Sequence, residues 1–281
     1  MKKTTSQSQE LIFQRNIGIM TQAQLTQIRS TPVAVAGLGL GGSVFLNLVR
    51  TGFTDFHIAD LDVFEASNCN RQRLAKTTTL GRRKDECILE EALAINPAVR
   101  IRVFSEGVTC ENVTEFLDGR SWVIDAIDVF AMKEKLVLHE RARNTGARVV
   151  SCASVGFMGV SVLFAPGTPS FSELSGISPE QDQTENFSRF VRFISPEVPD
   201  YMVAQVLDAI AGRGHIPFVA QGVETSAALA STLLTNGILN LRDIALAPWG
   251  YFVDPLAPAS GKFHASFRSR ELPAARTLKA A

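Results

Sequence analysis

The chain has 281 residues, enough for one large domain or two modest ones, and its 28 Lys and Arg are balanced by 28 Asp and Glu. That neutrality gives no ground for expecting non-specific nucleic-acid binding or a membrane-surface role. The opening MKKTTSQSQE has no apolar run behind its lysines, so it does not read as a secretory signal, and a cytoplasmic protein is expected.

In chain order, residues 1–30 read as a polar arm carrying one helix, TQAQLTQIRS. Pro32 introduces the strand VAVA, a glycine turn and the helical pattern SVFLNLVRTG. DFHIADLDVF is the next strand, and RKDECILEEALAINP is an amphipathic helix stopped by Asn96-Pro97. VRIRVFSEGV reads as a strand, CENVTEFLDG as a short helix and SWVIDAID as a strand. AMKEKLVLHERARNTG is a helix closed by Gly146. The most apolar stretch, VVSCASVGFMGVSVLFAPG, is too broken by Ser and Gly for a membrane span and fits two buried strands joined by a glycine turn. Strands alternating with helices imply an α/β fold of Rossmann-like type: a doubly wound, mostly parallel sheet with helices on both faces. The expected organisation is an arm at 1–30, a nucleotide-binding core at 31–165, a less regular crossover at 166–220, and a helix and tail at 221–281 that complete the same domain. The helix is VAQGVETSAALASTLLTNGILN, and the tail RSRELPAARTLKAA is expected to be mobile.

Gly37, Gly39 and Gly42 form G-x-G-x-x-G. Alone the motif is weak, but here it follows a strand and opens a helix, the context in which backbone N–H groups and the helix dipole receive phosphate. Asp60 ends the second strand at the spacing of an acid that bonds a ribose hydroxyl. Between Ser67 and Lys84 the chain collects Arg71, Arg73, Lys76, Arg82, Arg83 and Lys84 with no acid among them. A solvated basic loop and a polyanion site are both open. A dinucleotide needs little charge beyond the glycine turn, so the cations favour a nucleoside triphosphate. Asp128, at the end of SWVIDAID, is placed either to hold Mg²⁺ or to cap the following helix. The four cysteines, Cys69, Cys87, Cys110 and Cys152, form no C-x-x-C, so zinc is not expected and they read as reduced, mostly buried thiols.

GLGLGG, ADLDVFEASNCNRQRL, LGRRK, INP and VIDAID, in that order over about residues 13–165, resemble the ThiF/MoeB/HesA family, bacterial relatives of ubiquitin-activating enzymes. The combination D-x-D…N-x-x-R-Q…G-x-x-K is far more specific than the glycine motif. The resemblance implies binding of ATP with Mg²⁺ and adenylation of a carboxylate, often the C-terminal glycine of a small protein. It implies that Asp60 holds the ribose, that Asn68, Arg71 and Lys84 contact phosphates with Gln72 beside them, and that Asp128 binds the metal. FQRNIG is similar to an N-terminal arginine element of the family, which makes Arg15 the residue reaching into the partner's site of a homodimer. Arg73, Lys76, Arg82 and Arg83 are expected to be surface charges.

The chain departs from many relatives in having no zinc-binding cysteine pairs and no cysteine after Phe157. A thioester relay is therefore not expected, and Cys152 is the one thiol that stays a candidate. Direct attack on the acyl-adenylate by an amine, an amide nitrogen or a group of the same substrate is expected instead. The substrate expected is a peptide or small protein, with cyclisation in peptide natural-product maturation as one form. A dehydratase of threonylcarbamoyl-modified tRNA and a catalytically silent binding partner are the alternatives, and the cations disfavour a nicotinamide oxidoreductase. Residues 166–220 read either as a peptide groove or as a dimer contact.

Overall fold

A computed structural model of the chain describes residues 11–257 and 259–268, so the opening lysines and nearly all of the tail lie outside the described residues. After a helix at Gln22–Ser30 (α1), strands and helices alternate through Val33–Ala36 (β1), Leu40–Thr51 (α2), Asp55–Ala59 (β2), Lys84–Ile95 (α3) and Arg100–Phe104 (β3). Val113–Phe116 (α4), Trp122–Asp125 (β4), Met132–Thr145 (α5), Arg148–Val155 (β5) and Met158–Phe164 (β6) follow. The remaining elements are Phe171–Ser175 (α6), Gln183–Ile194 (α7), Val203–Ile210 (α8), Ala220–Leu239 (α9), Trp249–Asp254 (β7) and Ala259–His264 (β8).

The strands form one sheet in the order β3-β2-β1-β4-β5-β6-β7-β8. The first five are parallel, and β6, β7 and β8 add on antiparallel. β1 and β4 read VAVA and WVID, and every residue in them is buried. Such strands lose the apolar–polar alternation because helices cover both faces. Val33 and Val35 point into one core with Phe45, Ile88 and Leu234. Ala34 and Ala36 point into the other with Phe116, Leu138 and Phe171. The expected doubly wound α/β architecture is what the chain adopts. The order reverses between β1 and β4, and the crevice outside their C-terminal ends is where such sheets bind ligands.

Two parts differ from the sequence-based expectation. The crossover is not irregular: it carries α6, α7 and α8. A reciprocal cap between Ser170 and Glu173 starts α6, and the Asp182 side chain accepts from the Glu185 N–H to start α7. The apolar residues of α7 recur at i, i+3, i+4 and i+7 (Phe187, Phe190, Val191, Ile194), a helical period hidden among acids and serines. The segment after α9 is not all tail, because β7 and β8 pair as a hairpin and extend the sheet.

The end of β4 is fastened by a buried anion. Asp125 Oδ1 accepts from Lys135 Nζ at 2.6 Å, and Oδ2 accepts from His139 Nε2 and Ser151 Oγ, each at 2.8 Å. Lys135 and His139 lie one turn apart on α5, and Ser151 lies on β5, so one carboxylate joins three elements. Burial opposes the charge on Asp125, but Lys135 and His139 outweigh it and hold the carboxyl well below the usual range. Burial also lowers the pKa of His139, which stays neutral with its Nε2–H donating to Asp125. A histidine whose folded pKa is depressed contributes stability that is complete above its unfolded pKa, about 6.5, and is lost as pH falls below it. The urea midpoint is therefore expected to drop between about pH 7 and pH 5, and His139→Gln, which keeps an N–H donor, should flatten that drop. Asp125→Asn leaves Lys135 buried without its anion and should cost about 3–5 kcal/mol; wild-type stability in that variant would contradict the anchoring role.

Candidate active site

A cleft of about 550 Å³ opens at the C-terminal edge of the parallel strands. Gly37 begins the turn after β1 with φ +82°, and a Cβ there would collide with the Ala126 carbonyl. Only glycine combines that backbone angle with that approach. Gly37 and Gly39 line the cleft. Gly42 does not: it sits in the layer behind, where a Cβ would come within 2.7 Å of Ile88 Cδ1, so its task is close packing of α2 against α3.

Asp60 is buried in the wall. Its Oδ2 accepts from the Leu38 N–H at 2.5 Å and its Oδ1 from the Asp62 N–H at 2.8 Å, which fastens the loop after β2 to the glycine turn. Burial raises its pKa, against the pull of Lys84. Lys84, the first residue of α3, is 5% exposed and reaches the cleft, where Nζ donates to Asp62 Oδ2 at 2.7 Å. Arg71 donates to the Ser67 carbonyl at 2.8 Å and stacks its guanidinium 5.0 Å from the Phe218 ring centroid. Burial lowers its pKa, while the negative Asp128 acts in the opposite sense.

Gln72 lies against Gly39, and its buried Oε1 has no hydrogen-bond partner. Such an orphaned amide at a cleft wall is a position where a ligand group would restore the missing bond. Asp128 is exposed and lines the cleft, with Oδ1 accepting from the Phe130 N–H at 2.9 Å. That local bond is the turn-capping role and leaves the second oxygen free for a cation. No group of three or more His, Cys, Asp or Glu that could hold a metal occurs among the described residues. The donor set therefore suits Mg²⁺ carried in on phosphates, which needs only one or two carboxylates, rather than a cage built of protein.

Asn68 is not in the wall. Its Oδ1 accepts from the Glu65 N–H at 3.0 Å, and its carbonyl accepts from the N–H groups of Arg71 and Gln72. It braces the loop that presents those two residues. Arg15 lies exposed in a short 3-10 turn, Gln14–Asn16, outside the wall of its own cleft.

Of the six cations between Ser67 and Lys84, only Arg71 and Lys84 line the cleft. Arg73 pairs with Glu224, Arg82 with Glu90 and Arg83 with Asp85, while Lys76 is exposed. The reading of these four as surface charges agrees with Arg73 and Lys76, which are exposed, but Arg83 is half-buried and donates to Asp85 and the Ser105 carbonyl, and three of the four have acidic partners. Asp62, present in the D-x-D motif but given no role, lines the cleft, as do Glu134 and Phe218, which were not singled out, and apolar residues of α7 and α8. For the residues of α7 and α8, the sequence offered the reading of 166–220 as a peptide groove and the helical spacing of the α7 residues.

The expectation of mostly buried thiols holds for Cys87 and Cys152 and fails for Cys69 and Cys110, which are exposed in loop segments. Cys152 touches the cleft, with Sγ 3.6 Å from the Asp125 carbonyl oxygen. Burial pushes its thiol far above the ordinary range, and the negative Asp125 pushes the same way. A nucleophilic cysteine needs the opposite environment.

A model of the ThiF family matches residues 13–240. Similar proteins include the tRNA threonylcarbamoyladenosine dehydratase of Haemophilus influenzae, 31% identical over 123 residues, which are 43% of this chain and 47% of that protein. The sulfur carrier protein ThiS adenylyltransferase of Bacillus subtilis is 29% identical over 197 residues, 69% of this chain and 56% of that protein. The chain thus spans about half the length of the curated relatives it matches. The crystal structure of E. coli MccB with MccA-N7isoASN superposes with a TM-score of 0.65 at 15% identity, covering 86% of this chain and 66% of that one, a likeness of fold.

The thiol environments set an outcome for alkylation. Iodoacetamide on the native protein at about pH 8 should label Cys69 and Cys110 and spare Cys152, as read by peptide mass spectrometry. Labelling of Cys152 as fast as Cys69 would show it to be an accessible thiolate.

Proposed function

We propose, from the premise that the chain belongs to the ThiF family, that it is an ATP-dependent adenylyltransferase that activates a carboxylate on a peptide or small protein. The observation that carries this reading is the convergence of the glycine turn, Arg71, Lys84 and Asp128 on one cleft. A carboxylate oxygen attacks the α-phosphorus of ATP, the bond to the bridging oxygen of the β-phosphate breaks, and pyrophosphate leaves. Arg71 and Lys84 stabilise the charge that develops, from positions fixed before reaction. For Lys84 this means exchanging Asp62, whose side chain is 56% exposed, for a phosphate oxygen. Asp60 holds the ribose, and Asp128 holds Mg²⁺, which neutralises phosphate charge when bound.

The acyl group then passes directly to its acceptor and AMP departs. The raised pKa of Cys152 supports this route over a thioester. When the acceptor belongs to the same substrate, the product is a ring and the net change is loss of water. Arg15 acts in the neighbouring site of a homodimer, a role compatible with its exposure and with its not lining its own cleft. Cytoplasmic residence is proposed with this. No helix among the described residues is long and apolar enough to cross a membrane.

The likeness to the Haemophilus influenzae protein favours a second reading, dehydration of a threonylcarbamoyl group on tRNA by the same activation chemistry. The balance of 28 cations against 28 acids supplies little of the positive surface that phosphate contacts to tRNA require. A silent binding partner is a weaker reading, because Arg71, Lys84 and Asp128 are all present.

With a carboxylate that supports ATP–pyrophosphate exchange, Asp128→Ala should abolish the metal-dependent exchange while melting like the wild type. Arg71→Ala and Lys84→Ala should lower turnover by about 10²–10³ and change ATP affinity much less. Full turnover in these variants would remove the assignment. Mixing Arg15→Ala with Asp128→Ala subunits should regain part of the activity, since one composite site of such a dimer is intact. Absence of rescue despite demonstrated subunit exchange would exclude action in trans.

A further inference from the structure

The cleft has two ends of opposite character. Beyond β5, every residue that α7 and α8 contribute to its wall is apolar: Phe187, Phe190, Val191 and Ile194 from α7, and Val206 from α8, with Met202 just ahead of it. The polar groups Asp60, Asp62, Arg71, Gln72, Lys84 and Asp128 come from the loops after β2 and β4 and the start of α3, and one further acid, Glu134, comes from α5. The two sets meet at two points. The guanidinium of Arg71 stacks on Phe218, which also lines the cleft, and Phe130, two residues after Asp128, stacks on Phe187 with ring centroids 5.7 Å apart. The apolar end therefore begins where the charged groups for phosphate transfer stop.

The apolar end is built in advance. Lys135 Nζ sits 5.5 Å from the centroid of Phe190, so the buried ion pair that fixes β4 also fixes this ring. Phe187, Val191, Met202 and Val206 form a small cluster separate from the two main cores. The adenine base has a place elsewhere. Leu61 follows β2, and Gly107 and Val108 follow β3, so these cleft residues lie on the far side of β1, with the ribose position at Asp60 next to them. The α7 end lies toward β6. A nucleotide at Asp60 leaves the apolar end to the other reactant.

We propose that the carboxylate activated in this cleft belongs to a residue with a bulky apolar side chain, of leucine or phenylalanine size, and that this side chain seats against the apolar face that α7 and α8 present to the cleft. The inference rests on the adenylation reading and narrows its substrate class. A glycine-terminated tail leaves the seat unfilled. A glutamate side chain finds no ionisable partner on α7 or α8 in the wall, and burying its charge there is unfavourable; a lysine finds none on these helices either, and the one acid beside them in the wall is Glu134 of α5.

The test uses the full chain with N-acetyl tripeptides ending in Gly, Leu, Phe, Lys or Glu. Two quantities are measured: binding by calorimetry in the presence of AMP, and ATP–pyrophosphate exchange with Mg²⁺. The Leu and Phe peptides should bind roughly 10–100-fold more tightly than the Gly peptide, with a negative heat-capacity change that marks apolar burial. Val206→Trp, which fills the seat, should remove that preference, with folding checked by an unchanged melting profile. Met202→Ala, which enlarges the seat and is the milder change, should shift preference from Leu toward Phe. Equal or absent binding across the panel, or tighter binding of the Lys or Glu peptide, overturns the seat. Selective binding of Leu and Phe peptides without exchange keeps the seat and removes the adenylation reading. Exchange with no selectivity keeps the adenylation reading and removes the seat.

Discussion

The carboxylate of Asp125, buried at the end of β4 and held by Lys135, His139 and Ser151, is the constraint on which the cleft depends. The segment that leaves it, Ala126 to Ala131, supplies the carbonyl packed against Gly37, the exposed Asp128 and the ring of Phe130. A shift of β4 along its axis would move all three at once. The Ile127 N–H also donates to Asp125 Oδ1, at 3.2 Å, so the anchor holds the first turn of this segment directly. A buried ion pair is weak evidence for stability, because a well-packed apolar replacement is often as stable. Its directional bonds fix position, and the charge of Asp125 adds to burial in raising the pKa of Cys152 beside it, against the pull of Lys135.

Charge in the basic loop is sorted by the helices around it. α3 presents Asp85 and Glu90 to Arg83 and Arg82, and Glu224 of α9 takes Arg73. Glu224 also accepts from Ser43 Oγ at 2.7 Å, which joins the loop to the start of α2. The loop is thereby held to three helices, and the cations turned inward are those that line the cleft. The Arg82 and Arg73 pairs are exposed or partly so and contribute little stability each, whereas the Asp85 carboxylate of the third is buried. Their effect here is to leave Arg71 and Lys84 as the cleft's cations.

The crossover closes the cleft with a different chemistry. α7 caps the α5 side of the sheet with Phe193 and Ile194 in the main core and turns Phe187 and Val191 toward α8. One helix therefore serves the fold and shapes the cleft. An apolar wall excludes water from that end of the cleft, and under the proposed activity it would guard an acyl-adenylate against hydrolysis.

The sequence by itself determined the order of strands and helices through β6, the glycine turn with its acid at Asp60, and the resemblance carried by the D-x-D, N-x-x-R-Q and G-x-x-K spacings. These are local signals: a period of two or 3.6, a turn that needs glycine, residues a few positions apart. Tertiary structure alone decided which cations face the cleft, because that depends on acids up to 151 residues away, as with Arg73 and Glu224. It assigned Asn68 to bracing and Gly42 to packing, since a motif gives the residue type and not the direction of its side chain. It exposed Cys69 and Cys110, and it joined Asp125 to His139 and Ser151 across 14 and 26 residues. It also paired β7 with β8 and set α7 against α8, contacts whose partners no local pattern names. The physical reason is common to all of these. Burial and pairing are properties of surfaces brought together by folding, and a one-dimensional pattern records only the half of each contact that lies on its own element.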